Sequence, residues 1–226
     1  MWGNLDGQNE AVQYFLQMEV NASMIVESDV HKKAINGALT TTVKELGKMA
    51  KYEKDSKHAI IQQGDSWNNN IMFKFDGETL LESVMIDYQL SKASNPVADI
   101  LYMVFNCTNY ENRKENFHDW IDYYHNELDK SLSNYGLKAS FVFPRDQLDA
   151  DLKRYGKISF GLSILLASML SLKSEEASVL KEAMDSADVD KMMEGAAAGI
   201  KDPETIALVK KRLEGLVDSF HEFGLL

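Results

Sequence analysis

Two short apolar runs, Ile71-Met72-Phe73-Lys74-Phe75 and Ser83-Val84-Met85-Ile86, stand on either side of Asp76-Gly77-Glu78. A glycine after an aspartate supplies the positive φ that a tight reversal needs, so the spacing predicts a β-hairpin. No other feature constrains the fold as strongly, because closing a hairpin brings the entry of its first strand beside the exit of its second. Here those residues are Asn70 and Asp87. The loop just upstream, Gly64-Asp65-Ser66-Trp67-Asn68-Asn69, faces the same end and adds a third polar side chain, Asp65.

Around this segment the apolar residues recur at spacings of three and four, the period of helices. Ala11, Tyr14, Phe15 and Met18 form one stripe, and a second run extends from about Asp29 to Lys54, weakened in its middle by Thr40 to Val43. After the hairpin, Ile100, Leu101, Val104 and Phe105 share a face, as do Phe117, Trp120, Ile121 and Tyr124. The last helix opens on Asp202 as a cap, Pro203 in the first helical position and Glu204 at the positive end of the dipole. It buries Ile206, Val209, Leu213, Leu216 and Phe220. The expected class is therefore α+β, mainly helical, with the hairpin as the one sheet. Nothing marks a linker or a repeat, so residues 1–226 read as a single unit.

Composition excludes several functions. With 24 basic against 35 acidic residues the net charge is −11, and no segment gathers enough Lys and Arg to neutralise a phosphate backbone. Nucleic acid is not an expected partner. The single cysteine, Cys107, lies on an apolar helical face and reads as a small buried hydrophobe that cannot pair within the chain. With no basic-then-apolar leader at Met1-Trp2-Gly3-Asn4, the expected location is cytoplasmic. The most apolar stretch, Ile158 to Leu172, is fifteen residues and is interrupted by serines and Gly161. A bilayer needs about 20, so this reads as a buried helix. The five histidines lack ligand-like spacing and cysteine or carboxylate partners, which argues against zinc.

The polar trio has a chemistry of its own. Phosphoryl transfer is mostly positioning and charge neutralisation, and needs an aspartate near the acceptor hydroxyl together with oxygen ligands for a hard cation. Asp65 suits the first task; Asn70 and Asp87 suit the second. Aspartate and asparagine are common in turns, so the pair alone says little. Asp65, Asn70, a hairpin and Asp87 in that order form the catalytic-loop and metal-loop layout of the kinase-like fold.

Gly64-Asp65-Ser66-Trp67-Asn68-Asn69-Asn70-Ile71-Met72-Phe73-Lys74 resembles the His-Gly-Asp-x-Trp-x-x-Asn-x-Met/Leu-Phe segment of the ecdysteroid kinase-like (choline kinase-like, CHK) family, relatives of choline and aminoglycoside kinases. Ile86-Asp87-Tyr88-Gln89 and Asn95-Pro96-Val97-Ala98-Asp99-Ile100-Leu101-Tyr102 are similar to that family's Val-Asp-Phe-Gln and x-Pro-x-x-Asp-Leu-x-Tyr. The likeness is clearest over residues 58–172, with C-terminal helices over 173–226. It implies the C-terminal lobe of a kinase-like enzyme, with Asp65 catalytic, Asn70 and Asp87 holding magnesium, and ATP as phosphate donor. The acceptor would be a small-molecule hydroxyl, with an ecdysteroid or related alcohol leading. Asp99 is expected to anchor the catalytic loop through backbone hydrogen bonds, and Trp67 to plug the loop against the core. Gln63 stands where the family usually has histidine, whose task is to buttress the loop; glutamine can hydrogen-bond there but cannot carry charge.

Nothing upstream of Gly64 reads as a nucleotide-covering N-lobe, with its sheet, glycine loop and strand-borne lysine. The chain alone is therefore expected to be inactive, and to self-associate through the lobe face left uncovered. Two further readings stay open: a pseudokinase-like small-molecule binding protein, and a truncated gene product.

Overall fold

The computed structural model of the chain describes residues 10–53, 56–169, 178 and 202–226. Its described residues fall into two compact units, one drawn from 1–48, 157–224 and 226, the other from 49–156 and 225.

The first unit is helical. It holds α1 (Glu10–Ile25), α2 (Asp29–Ile35), most of α3 (Ala38–Glu53), the second half of α7 (Arg145–Met169) and α8 (Pro203–Glu222). The run expected to continue from Asp29 to Lys54 breaks at Gly37, which takes φ +83°, and not at Thr40 to Val43. Those β-branched residues stay helical, and the buried Thr42 hydroxyl reaches the Lys157 and Ile158 carbonyls at 3.3 and 3.4 Å. The new helix start is capped from a distance. Buried Glu19 accepts from Gly37 N at 2.8 Å and Leu39 N at 2.5 Å, satisfying donors that a helix start leaves open. Asp202 caps α8 as expected, its Oδ2 accepting from Thr205 N at 2.8 Å with Pro203 in the first turn. Val209, Leu213, Leu216 and Phe220 are buried, and the Phe220 ring lies 5.1 Å from that of Phe160. The apolar stretch from Ile158 is helical to Met169, and its remainder lies outside the described residues. No helix among the described residues is long and apolar enough to cross a membrane.

The second unit carries the hairpin, β2 (Ile71–Asp76) and β3 (Thr79–Met85), paired Ile71↔Met85 and Phe73↔Ser83 with a bulge at Lys74/Phe75. Gly77 turns it at φ +57°. A second sheet corrects the expectation of only one: β1 (Ile60–Gln62) and β4 (Lys92–Ser94) pair antiparallel, with Gln62↔Lys92 in register. Strands of three residues show no alternation to read, and their partners are too far apart for a turn signal. Their consequence is large, since this pair sends out and takes back the whole segment from Gln63 to Ser91.

The same unit holds α4 (Val97–Cys107), α5 (Tyr110–Ser133), the short α6 (Ala139–Val142) and the start of α7. Leu101, Val104, Phe105, Phe117 and Ile121 are buried as their periodicity predicts. Cys107 is a correction: it is only half-buried on its helix. Buried polar groups tie the frame. Asn95 donates to Asp151 at 2.7 Å, Ser94 donates to Glu53 at 2.5 Å, and the Tyr155 hydroxyl donates to the same Glu53 carboxylate. The chain is thus mainly helical α+β. No described residue before Ile60 lies in a strand.

Candidate active site

β1 ends at Gln62, and the next two peptide N–H groups would be orphans without an acceptor. Asp99, in the first turn of α4, supplies it: its carboxylate accepts from Gln63 N at 2.7 Å and Gly64 N at 3.0 Å. Ser66 adds to this anchor, its buried hydroxyl lying 3.0 Å from Asp99 O and 3.3 Å from Oδ1. Gly64 then turns the chain at φ +88°, where a Cβ would stand 2.4 Å from the Leu90 carbonyl. Only glycine fits both the angle and the approach.

The turn delivers Asp65 with both carboxylate oxygens engaged. Oδ1 accepts from the Tyr102 hydroxyl at 2.7 Å, and Oδ2 from Asn70 Nδ2 at 2.9 Å. Asn70 Nδ2 also donates to the Asp65 carbonyl at 2.9 Å, so the loop from Asp65 to Asn70 closes on itself. Two acceptors around one nitrogen fix which way the Asn70 amide points, and leave Oδ1 as its remaining ligand atom. Burial first, then the Asp65 carboxylate, pushes the Tyr102 phenol far above its ordinary range. It is a donor at any working pH. The Trp67 ring is half-buried, and its backbone shapes the loop: Trp67 N donates to Asp65 O, and Asn70 N to Trp67 O, each at 2.9 Å.

At the far end of the hairpin, Ile86 N donates to Asn70 O at 2.9 Å, which fastens the entry of β2 to the exit of β3. Asp87 comes next in the left-handed region, φ 57° and ψ 68°, the one non-glycine among the described residues with positive φ. An aspartate held there costs on the order of 1 kcal/mol and persists only where surrounding contacts enforce it. Gln63 enforces it. This side chain is 4% exposed and uses both ends: Oε1 accepts from Asp65 N at 2.6 Å, while Nε2 donates to the carbonyls of Ile86 and Asp87, each at 2.9 Å. One neutral amide thereby joins the Asp65 loop to the Asp87 turn. The Asp87 carboxylate itself is exposed and, among the described residues, meets Gln89 Nε2 at 3.4 Å.

Asn70 Oδ1 and the Asp87 carboxylate are hard oxygens of the kind magnesium takes, and the local hydrogen bonding engages the latter only at Oδ2, 3.4 Å from Gln89 Nε2. Among the described residues no group of three or more His, Cys, Asp or Glu is placed to hold a metal. A cation at this place would draw its other ligands from water and phosphate. Tyr102 and Ser66 are the members of the network to which the sequence assigned no task. Tyr102 closes the run from Asn95 to Tyr102, three residues past Asp99, and that helical spacing was the available signal.

A mainly helical α+β chain with an aspartate loop clamped from one helix and tied to a hairpin exit has the makings of a phosphotransferase-like site. The family model described as the ecdysteroid kinase-like family matches residues 6–137, and the chain belongs to that family. The match begins well before residue 58, so α1 to α3 fall within the family pattern, and it ends before α7. No curated protein and no solved structure matches the chain. Membership points to kinase-like phosphotransferase activity in general, with the ATP and magnesium dependence general to such enzymes.

Proposed function

We propose that this chain carries the catalytic loop of an ATP-dependent phosphotransferase that acts on a small-molecule alcohol, with an ecdysteroid or related lipophilic alcohol as the leading acceptor. The observation that carries it is the double hold on Asp65, by Tyr102 at Oδ1 and Asn70 at Oδ2, in a loop that Gln63 joins to the Asp87 turn. Asp65 would orient the acceptor hydroxyl and take its proton as the new P–O bond forms. Asn70 and Asp87 would hold magnesium, which when bound neutralises charge on the phosphates. Asp99, Gln63 and Trp67 would support the loop.

These residues form one side of a nucleotide site. No described residue upstream of Ile60 lies in a strand. The hairpin is bare: Phe73 and Phe75 are 49% and 57% exposed, and Leu80 and Leu81 lie beside them in the opposite strand. This exposed apolar face is expected to self-associate on concentration, read by sedimentation. The deciding experiment measures manganese relaxation with ATP, then phosphate transfer by the protein to a steroid and small-alcohol panel. ATP-dependent manganese binding should disappear in Asp87→Ala, and turnover should fall far more than ATP affinity in Asp65→Asn. Equal manganese binding by Asp87→Ala would remove the metal assignment; unchanged turnover in Asp65→Asn would put the base elsewhere.

A further inference from the structure

Asp99 and Tyr102 stand three residues apart on α4 and so project from one face of the helix. Asp99 grips the backbone of the loop at Gln63 and Gly64. Tyr102 grips the side chain that the loop exists to present. We propose that Tyr102 is a positioning residue, holding the Asp65 carboxylate in the one orientation from which it meets the acceptor hydroxyl; the functional half of this inference rests on the phosphotransferase reading.

The torsion that sets the plane of an aspartate carboxylate joins a tetrahedral to a trigonal carbon, and such torsions are broad and weakly stepped. One donor leaves that plane free to swing about the bonded oxygen. Asn70 is that one donor from within the loop, at Oδ2. Tyr102 adds a second donor at the other oxygen, from a separate element, the helix α4. Two donors on two oxygens define the plane. The hydroxyl also has a fixed sense, because burial and the neighbouring carboxylate keep its proton on it. Tyr102 therefore donates and transfers nothing, and the proton leaving the acceptor goes to an Asp65 lone pair that neither donor uses. Tyr102 is half-buried, and Tyr102→Phe keeps the ring while deleting only the donor.

The experiment uses the protein labelled with 13C at aspartate carboxyl carbons, with the Asp65 resonance assigned by its loss in Asp65→Asn. In Tyr102→Phe the Asp65 resonance should move while that of Asp99 stays, which a general loosening of the fold would not produce. Turnover should fall ~10–100-fold, with KM for ATP nearly unchanged, the signature of a misplaced reacting group. An Asp65 resonance that does not move would overturn the proposal, as would a raised KM for ATP with turnover intact. Absence of turnover in the unaltered protein would instead sink the phosphotransferase reading and the functional half with it. The resonance still decides whether Tyr102 holds the carboxylate. Should Tyr102→Phe fail to fold, the same contact is read from the other side: the Tyr102 Cζ resonance must shift in Asp65→Asn, and a static one refutes it.

Discussion

Replacing Gln63 probes the joint between the Asp65 loop and the Asp87 turn. Gln63→Ala deprives three backbone groups of their partners: Asp65 N–H, Ile86 C=O and Asp87 C=O. Each unsatisfied buried group costs about 1–3 kcal/mol, and the two carbonyls lie near enough to solvent to recover part of that, so the expected loss is about 2–4 kcal/mol. That is a large share of the roughly 5–15 kcal/mol of a typical domain. Gln63→Glu should be worse at neutral pH despite its closer shape. The new carboxylate can still accept from Asp65 N, but it sets an oxygen against two carbonyls at a position only 4% exposed. Burial and those carbonyls would raise its folded-state pKa above the ordinary value of about 4.3. A raised folded value means that stability is full below the unfolded pKa and lost as pH rises through the folded one, so the deficit should widen from acid toward pH about 7. Gln63→His, the residue usual in the family, can keep two of the three bonds and should cost about 1 kcal/mol. Urea unfolding at several pH values, compared with the parent at each so that other carboxylates cancel, orders the set as parent, His, Ala, Glu. A Glu variant as stable as the parent at neutral pH, or a deficit that ignores pH, would show that Gln63 does not bridge the two segments.

Asp87→Gly should separate strain from chemistry: releasing the left-handed aspartate should raise stability by about 0.5–1 kcal/mol in urea titrations, while ATP-dependent manganese binding is lost. Unchanged or lowered stability would mean the turn is not strained. Alkaline pH should destabilise the second unit. The Tyr102 and Tyr155 phenols are both pushed above their ordinary range, chiefly by burial and then by Asp65 and Glu53. Groups so raised contribute stability that is complete below the unfolded value of about 10 and is lost as pH climbs beyond it. Urea midpoints should therefore drop above pH about 10, and Tyr155→Phe should flatten that drop; a midpoint insensitive to pH there would contradict the buried state of both hydroxyls.

Local patterns determined much of this protein. Asp76-Gly77 between apolar runs sufficed for the hairpin, Asp202-Pro203 for the start of α8, and the spacing of Leu101, Val104 and Phe105 for the buried face of α4, since turn chemistry, capping and periodicity act within a few residues. The order of Asp65, Asn70, the hairpin and Asp87 pointed to a kinase-like layout, and the runs Gly64–Lys74, Ile86–Gln89 and Asn95–Tyr102 resembled the family whose model matches. What only the tertiary structure decided involves partners far apart in the chain. The three-residue strands β1 and β4 exist because each completes the other. Glu19 caps a helix that begins some twenty residues later. Tyr102 was legible only as helix, and its bond to Asp65 spans 37 residues. Gln63 could be named as the place of a buttress, yet that one amide would serve Asp65, Ile86 and Asp87 together was not readable. A hydrogen bond needs donor and acceptor within about 3 Å and well aligned, and sequence order says nothing of that distance until β1–β4 pairing and α4 packing set it.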